Sequence, residues 1–310
     1  MHKVMSESYD LAIVGSGKWA NNTKRTAFGG YLCPYTDNCE GWFGLGAARA
    51  YMQSHPDQKI VVYESNNTVG GTWSEARLYP GLKSNNMLGS YEFPDFPMGE
   101  KYGVKPLGHI PGAVLNRYLT DFAKHYGIYE RMQFNSTVSL VECTEAGWTL
   151  TVTDENGEKK VDTAKLILAT GLTSTPNMPH YAGSEKFDRP LFHAKDFCRR
   201  ADELKGARNV VVVGGAKSAY DVAYAMVESG ATVDLVIRPD SNGPVWIAPR
   251  HVTPLKHRID TILNVRALSW FSPCPWGHED GYGFVRRFLE KTSVGRALVK
   301  GFWSREYRYI

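Results

Sequence analysis

The chain has 310 residues, enough for two domains with separate cores, and its 43% hydrophobic and 22% charged residues match a soluble globular protein with no apolar run able to span a membrane. A net charge of +4 without a basic, aromatic-rich cluster excludes nucleic acid as a partner, and the opening MHKVMSESYD lacks the apolar segment of a secretory signal. The five cysteines (Cys33, Cys39, Cys143, Cys198, Cys274) form no C-x-x-C pair, which disfavours a dithiol reductase and leads us to expect a reducing, cytoplasmic setting.

The first predicted strand, Tyr9 to Val14, runs into Gly15-Ser16-Gly17, the opening of a dinucleotide-binding turn. The expected continuation arrives only at Trp42-Phe43-Gly44-Leu45-Gly46, ahead of an amphipathic helix. Deleting Lys18 to Gly41 restores an unbroken G-x-G-x-x-G whose glycines are Gly15, Gly17 and Gly44. In such a turn the first glycine allows the tight bend, the second lets backbone approach a pyrophosphate, and the third lets helix pack on strand. The next strand, Lys59 to Tyr63, ends in Glu64, which lies 20 residues beyond Gly44. That is the spacing of a carboxylate accepting hydrogen bonds from a ribose diol.

The interrupting stretch Lys18–Gly41 has neither helical nor strand periodicity. Its Gly17-Lys18-Trp19 border can be encoded by a splice-donor pattern, and Thr36-Asp37 by a branch-point-like string, so a retained intron is expected, with a natural insertion as the alternative. Sequencing the transcript separates the two. Closing a loop of about 24 residues costs only a few kcal/mol. The amides that must converge on one diphosphate are separated, however, so weakened binding is expected.

After Glu64 comes a long loop to about Pro106, rich in Gly, Asn, Ser and Pro and expected to carry a site. A helix is predicted from Ala113 to Tyr126, with Leu115, Leu119, Phe122 and Ala123 on one face. Strands follow at Gln133 to Val141, Trp148 to Thr153 and Lys165 to Ala169, with a turn at Asn156-Gly157, giving a small antiparallel meander. A second strand–helix–strand unit runs from Asn209 to Ile237, and a last helix is predicted from Gly283 to Lys291. The fold class expected is α/β, with two Rossmann-like dinucleotide-binding domains at 1–180 and 181–310.

The second unit carries Gly214-Gly215-Ala216-Lys217-Ser218-Ala219, with Ala at the second and third glycine positions. Its closing strand leads to Arg238 rather than an acid, and a guanidinium there suits the 2′-phosphate of NADP(H). Lys217 or Arg250 could share that charge.

Taken together, these motifs resemble the flavin-containing monooxygenases, over about residues 9–310 apart from the insert. Val69-Gly70-Gly71-Thr72-Trp73 is similar to the family's glycine pair and tryptophan, and implies flavin contacts at Gly71, Thr72 and Trp73. Tyr79-Pro80-Gly81 through Asn85-Asn86, and Tyr91 to Met98, resemble the stretch beside the flavin ring; the resemblance implies that Asn85 serves the oxygen-reacting face and Asn86 the cofactor. Ala169-Thr170-Gly171 resembles the strand end where the chain leaves the flavin domain. Phe187 to Phe197 approximates the family's F-x-G-x-x-x-H-x-x-x-[YF] pattern, departing at Arg189, and His193 within it is expected to be structural, coupling the two domains. The family's return to the flavin domain is not found before Ile310, so a fragment or an early terminus is expected.

The resemblance implies FAD and NADP(H) as cofactors, with no metal. NADPH would pass hydride to FAD, dioxygen would add at the flavin C4a position, and the hydroperoxide would oxygenate a small amine or sulfide. A Baeyer–Villiger reaction on a ketone, and an impaired product with residual nucleotide binding, are the alternatives. Oligomeric state stays open.

Overall fold

The computed structural model describes residues 7–15, 41–171, 176–239, 251–252, 257–258, 270 and 283–306. Ser16, Gly17, the insert up to position 40 and Arg250 lie outside the described residues.

A six-stranded sheet forms the centre of the first compact unit, in the order β5 (Met132–Gln133), β2 (Ile60–Tyr63), β1 (Glu7–Val14), β8 (Gly157–Leu168), β7 (Gly147–Asp154) and β6 (Thr137–Thr144). β5, β2, β1 and β8 run parallel, whereas β8, β7 and β6 form the expected antiparallel meander. β2 and the inner end of β1 are apolar because both of their faces are covered. Every residue of β2 is buried, and β1 grades from exposed at Glu7 to buried from Leu11 onward. Alternation along β1 sends Ala12 and Val14 into a cluster with Val61, Tyr63, Val138, Leu150, Val152 and Val161. Ile13 points the other way, toward helix α1 (Trp42–Ser54).

Helix α2 (Gly112–His125) confirms the predicted apolar stripe, since Leu115, Leu119, Phe122 and Ala123 are fully buried together with Tyr118. Trp42 of α1 stacks on Tyr118 with ring centroids 5.7 Å apart, joining the two helices. Truncating Phe122 to Ala should cost about 3–5 kcal/mol in urea unfolding, because that ring has no solvent-facing edge and its site cannot collapse fully.

Two expectations need correction. The strand foreseen at Lys165 to Ala169 is the end of one long strand, β8, which pairs with β7 along its first half and with β1 along its second. The strand foreseen from Gln133 to Val141 is broken at Asn135, whose φ of +52° is left-handed, a conformation Asn tolerates better than most residues. Asn135 donates to Asn66 O (3.0 Å) and Ser136 to Glu64 O (3.0 Å), so the kink ties this segment to the end of β2.

The same compact unit takes in the second strand–helix–strand motif, β9 (Asn209–Val213), α4 (Lys217–Glu228) and β10 (Thr232–Val236). β9 and β10 are parallel, with Val212 paired to Leu235. α4 buries Ala219, Val222 and Met226 in a cluster with Phe197 and Val212. A short helix α3 (Phe197–Arg200) precedes it.

A second compact unit holds residues 84–110 and the C-terminal described segments. Its polar framework joins β3 (Lys83–Met87) to β4 (His109–Pro111): Ile110 N donates to Ser84 Oγ at 3.0 Å, and His109 Nδ1 lies 3.0 Å from Ser84 O. The predicted helix Gly283–Lys291 is present and is followed by a further helix, Ser293–Glu306, that the sequence reading missed. Among the described residues no helix is long and apolar enough to cross a membrane.

Candidate functional site

Strand β1 delivers Gly15 to the end of β2, where Gly15 N donates to Tyr63 O at 2.8 Å. A Cβ on Gly15 would lie 3.0 Å from Tyr63 O and 3.2 Å from Glu64 Oε2. The glycine is therefore needed for close approach, and the carboxylate borders the same crevice. Glu64 is only 2% exposed. Its Oε1 accepts from Asn66 N (2.9 Å) and Asn66 Nδ2 (2.8 Å), while Oε2 is the oxygen beside Gly15. A carboxylate buried to this degree must be fully hydrogen-bonded, and a ribose diol is a donor set that suits it.

Gly44 has the expected packing role: a Cβ there would meet Ala169 Cβ at 3.5 Å and Ile13 Cγ2 at 3.9 Å. The surprise is Gly41, which the sequence reading assigned to the insert. It is the N-cap of α1, with φ +96°, and its carbonyl accepts from Leu45 N at 3.1 Å. A Cβ on Gly41 would sit 2.5 Å from Gly70 C, 2.7 Å from Gly70 O and 2.8 Å from Gly71 N. Glycine is thus demanded twice, by the backbone angle and by the neighbouring chain. The signal was present but ambiguous: glycine stands at both borders of the interrupting stretch, so removing 17–40 or 18–41 yields the same sequence.

Gly70 (φ +124°) and Gly71 (φ +56°) form a tight corner leading into the 3-10 turn Gly71–Trp73, where Gly71 and Trp73 are buried and Thr72 is half-buried. α2 fastens this corner, because Asn116 Nδ2 donates to Val69 O at 2.8 Å. Among the described residues, the N-terminus of α1 carries no side-chain cap and no acid in its first turn. It offers the positive end of the helix dipole, the chemistry an anion requires. The cradle that residues 15, 41, 44, 64, 70 and 71 form fits the diphosphate-ribose part of FAD.

Asn85 and Asn86 are half-buried on β3 in the second compact unit. The Asn85 amide oxygen is buried and has no hydrogen-bond partner among the described residues, whereas Asn86 O accepts from Ser84 Oγ at 2.5 Å.

The second cradle follows the same logic. Gly214 has φ +149°, its N donates to Val236 O at 2.9 Å, and a Cβ on it would lie 3.2 Å from Ala219 Cβ. Gly215 precedes Ala216, the N-cap of α4, whose carbonyl accepts from Ala219 N at 2.9 Å. Ser218 is exposed in the first turn, and Arg238 is exposed just past β10. Lys217 is not extended from the helix end; its ammonium pairs with Asp221 one turn on. That pairing, and the bond from Tyr79 to Asp221 (2.7 Å), were not foreseen. His193 caps a 3-10 turn, its Nδ1 accepting from Lys195 N at 3.0 Å.

Residues 41–269 match the family model described as "Pyridine nucleotide-disulphide oxidoreductase". The chain is 36% identical over 278 residues to an FAD-dependent monooxygenase from Pyrenophora dematioidea, covering 85% of this chain and 50% of that one. It is 30% identical over 224 residues to a trimethylamine monooxygenase from Pelagibacter ubique, covering 66% of this chain and 50% of the relative. Among solved structures, Tmm from a Pelagibacter species superposes with a TM-score of 0.57 at 25% identity, over 74% of this chain and 51% of that one. The chain spans about half the length of the curated relatives it matches.

Proposed function

Because the chain belongs to the pyridine nucleotide-disulphide oxidoreductase family, among its FAD-dependent monooxygenases, we propose that it binds FAD and NADPH and takes part in oxygenating a small soft nucleophile at nitrogen or sulfur. The observation that carries the reading is the pair of cradles in one chain. Gly15 and Glu64 border one, and Gly214 packed on Ala219 forms the turn of the other. The likeness to a trimethylamine monooxygenase supports an amine over a ketone.

Bound FAD would take hydride from NADPH and hand the electrons to dioxygen. The chain's own residues bind and orient. Glu64 accepts from the adenosine ribose; the α1 N-terminus with Gly41, Gly70 and Gly71 receives the diphosphate; Thr72 and Trp73 line the approach beyond it. Asn85 is assigned the hydrogen bond to the reacting oxygen, on the resemblance and on its buried, unpartnered amide oxygen. At the second cradle the α4 N-terminus with Gly215, Ala216 and Ser218 receives the nicotinamide nucleotide. Arg238 meets the 2′-phosphate. The nucleotide-binding halves divide near residue 180 on this reading.

Arg238→Ala should weaken NADP+ about tenfold and leave NAD+ within about twofold, since only the former loses a charge-assisted contact. Equilibrium titration with both nucleotides checks it.

The decisive experiment loads the purified chain with FAD, adds NADPH without oxygen, and follows bleaching of the flavin band. Air is then admitted with trimethylamine or with cyclohexanone. Bleaching followed by N-oxide formation is the expected result. A flavin-loaded chain that NADPH cannot bleach overturns the proposal, and a lactone instead of an N-oxide moves it to ketone chemistry.

A further inference from the structure

One carboxylate oxygen in the second cradle serves two donors. Asp221 Oδ2 accepts from the Tyr79 hydroxyl at 2.7 Å and also pairs with the Lys217 ammonium. Lys217 is the first residue of α4, which has no side-chain cap and no acid in its first turn. A cation there sits against the positive end of the helix, a placement that is locally unfavourable unless an anion answers it. In the protein alone, Asp221 supplies that anion, and the two side chains are 22% and 14% exposed.

Tyr79 comes from the loop that follows the Gly71–Trp73 turn, so the half carrying the first cradle lends a residue to the second. Its ring lies edge-on to Phe197 with centroids 5.6 Å apart and packs against the cluster beneath α4. Burial first, and the bond to Asp221 second, push its hydroxyl well above the ordinary tyrosine range. It therefore stays a proton donor at neutral pH.

We propose that Lys217 is a phosphate ligand held in reserve: it pairs with Asp221 in the free protein and passes to the nucleotide phosphates on binding, while Tyr79 keeps the vacated carboxylate hydrogen-bonded. The proposal rests on the nicotinamide-nucleotide reading above and adds to it a competition between Asp221 and the ligand. A buried carboxylate left with no donor is costly, so the Tyr79 hydroxyl lowers the cost of releasing Lys217. Tyr79 is on this account a positioning residue, acting through Asp221.

Three single variants and two double variants of the full chain test it, titrated with NADP+ and compared by thermal melting. Asp221→Asn should tighten NADP+ about fivefold by removing the competitor, and Lys217→Met should weaken it about tenfold. Tyr79→Phe should weaken it about threefold, because Asp221 then holds Lys217 more firmly. The double variants separate this from simpler causes. Tyr79→Phe should have no effect in the Asp221→Asn background, and Asp221→Asn none in the Lys217→Met background. If Asp221→Asn still tightens binding without Lys217, the effect is only removal of a negative charge from the anion's surroundings, and the proposal is overturned. An equal loss from Tyr79→Phe with and without Asp221 makes Tyr79 a packing residue and overturns it too. An unaltered, folded chain with no saturable NADP+ binding overturns the nucleotide reading itself, a result distinguishable from both.

Discussion

Excising residues 17–40 should tighten FAD binding by about a hundredfold, the worth of roughly two charge-assisted hydrogen bonds. The two walls of the first cradle stand in place in the chain as it is: β1 ends at Gly15 against Glu64, and Gly41 opens α1 against Gly70 and Gly71. Between them the chain must travel from position 15 to position 41, whereas the restored turn needs a single intervening residue, Ser16. Shortening the path should leave the walls unchanged and return the turn to the length of an unbroken fingerprint, whose amides converge on one diphosphate. Fluorescence of FAD during titration measures the difference directly. Because glycine stands at both borders, the product is the same whether 17–40 or 18–41 is removed, so the test does not depend on where the interruption is drawn. Equal affinity before and after excision would falsify the view that the interruption weakens the cradle.

Periodicity carried much of the fold. The apolar stripe of α2 and the fully apolar run of β2 each have one structural meaning, and both stand as read. The length of β8 was not legible, because its first half alternates as a solvent-facing meander strand and its second half serves the parallel sheet, so no single pattern spans it. Asn135 was missed for a related reason: left-handed Asn is a local choice that a strand-like flank conceals. At the site, Glu64 could be placed by spacing, since a βαβ unit has nearly constant length. Gly41 could not, because its close contact is with Gly70 and Gly71, nearly thirty residues on, and such proximity leaves no mark on local sequence. The Tyr79–Asp221 bond spans 142 positions and is invisible for the same reason, although Lys217 and Asp221 do stand one helical turn apart.

Gly41→Ala should abolish measurable FAD binding and lower the stability of the chain, whereas Gly17→Ala should leave both near their starting values. At Gly41 two costs combine. The φ of +96° lies outside what an L-residue adopts easily, a penalty of about 1–3 kcal/mol. The new methyl would also overlap Gly70 C at 2.5 Å, and backbone cannot yield there without moving the Gly70–Gly71 corner. That corner is fixed in turn by Asn116, whose side chain holds Val69 O, and by Trp73 and Ser74, which crowd Gly70 from the other side. Relief would have to displace α1, whose Trp42 is stacked on Tyr118. The helix end would then point away from the diphosphate, losing amides and dipole together. The control decides the assignment: a Gly17→Ala chain that loses FAD while Gly41→Ala keeps it would return the second glycine of the fingerprint to position 17. With Gly41 in that role, the helix side of the cradle is complete from its first residue.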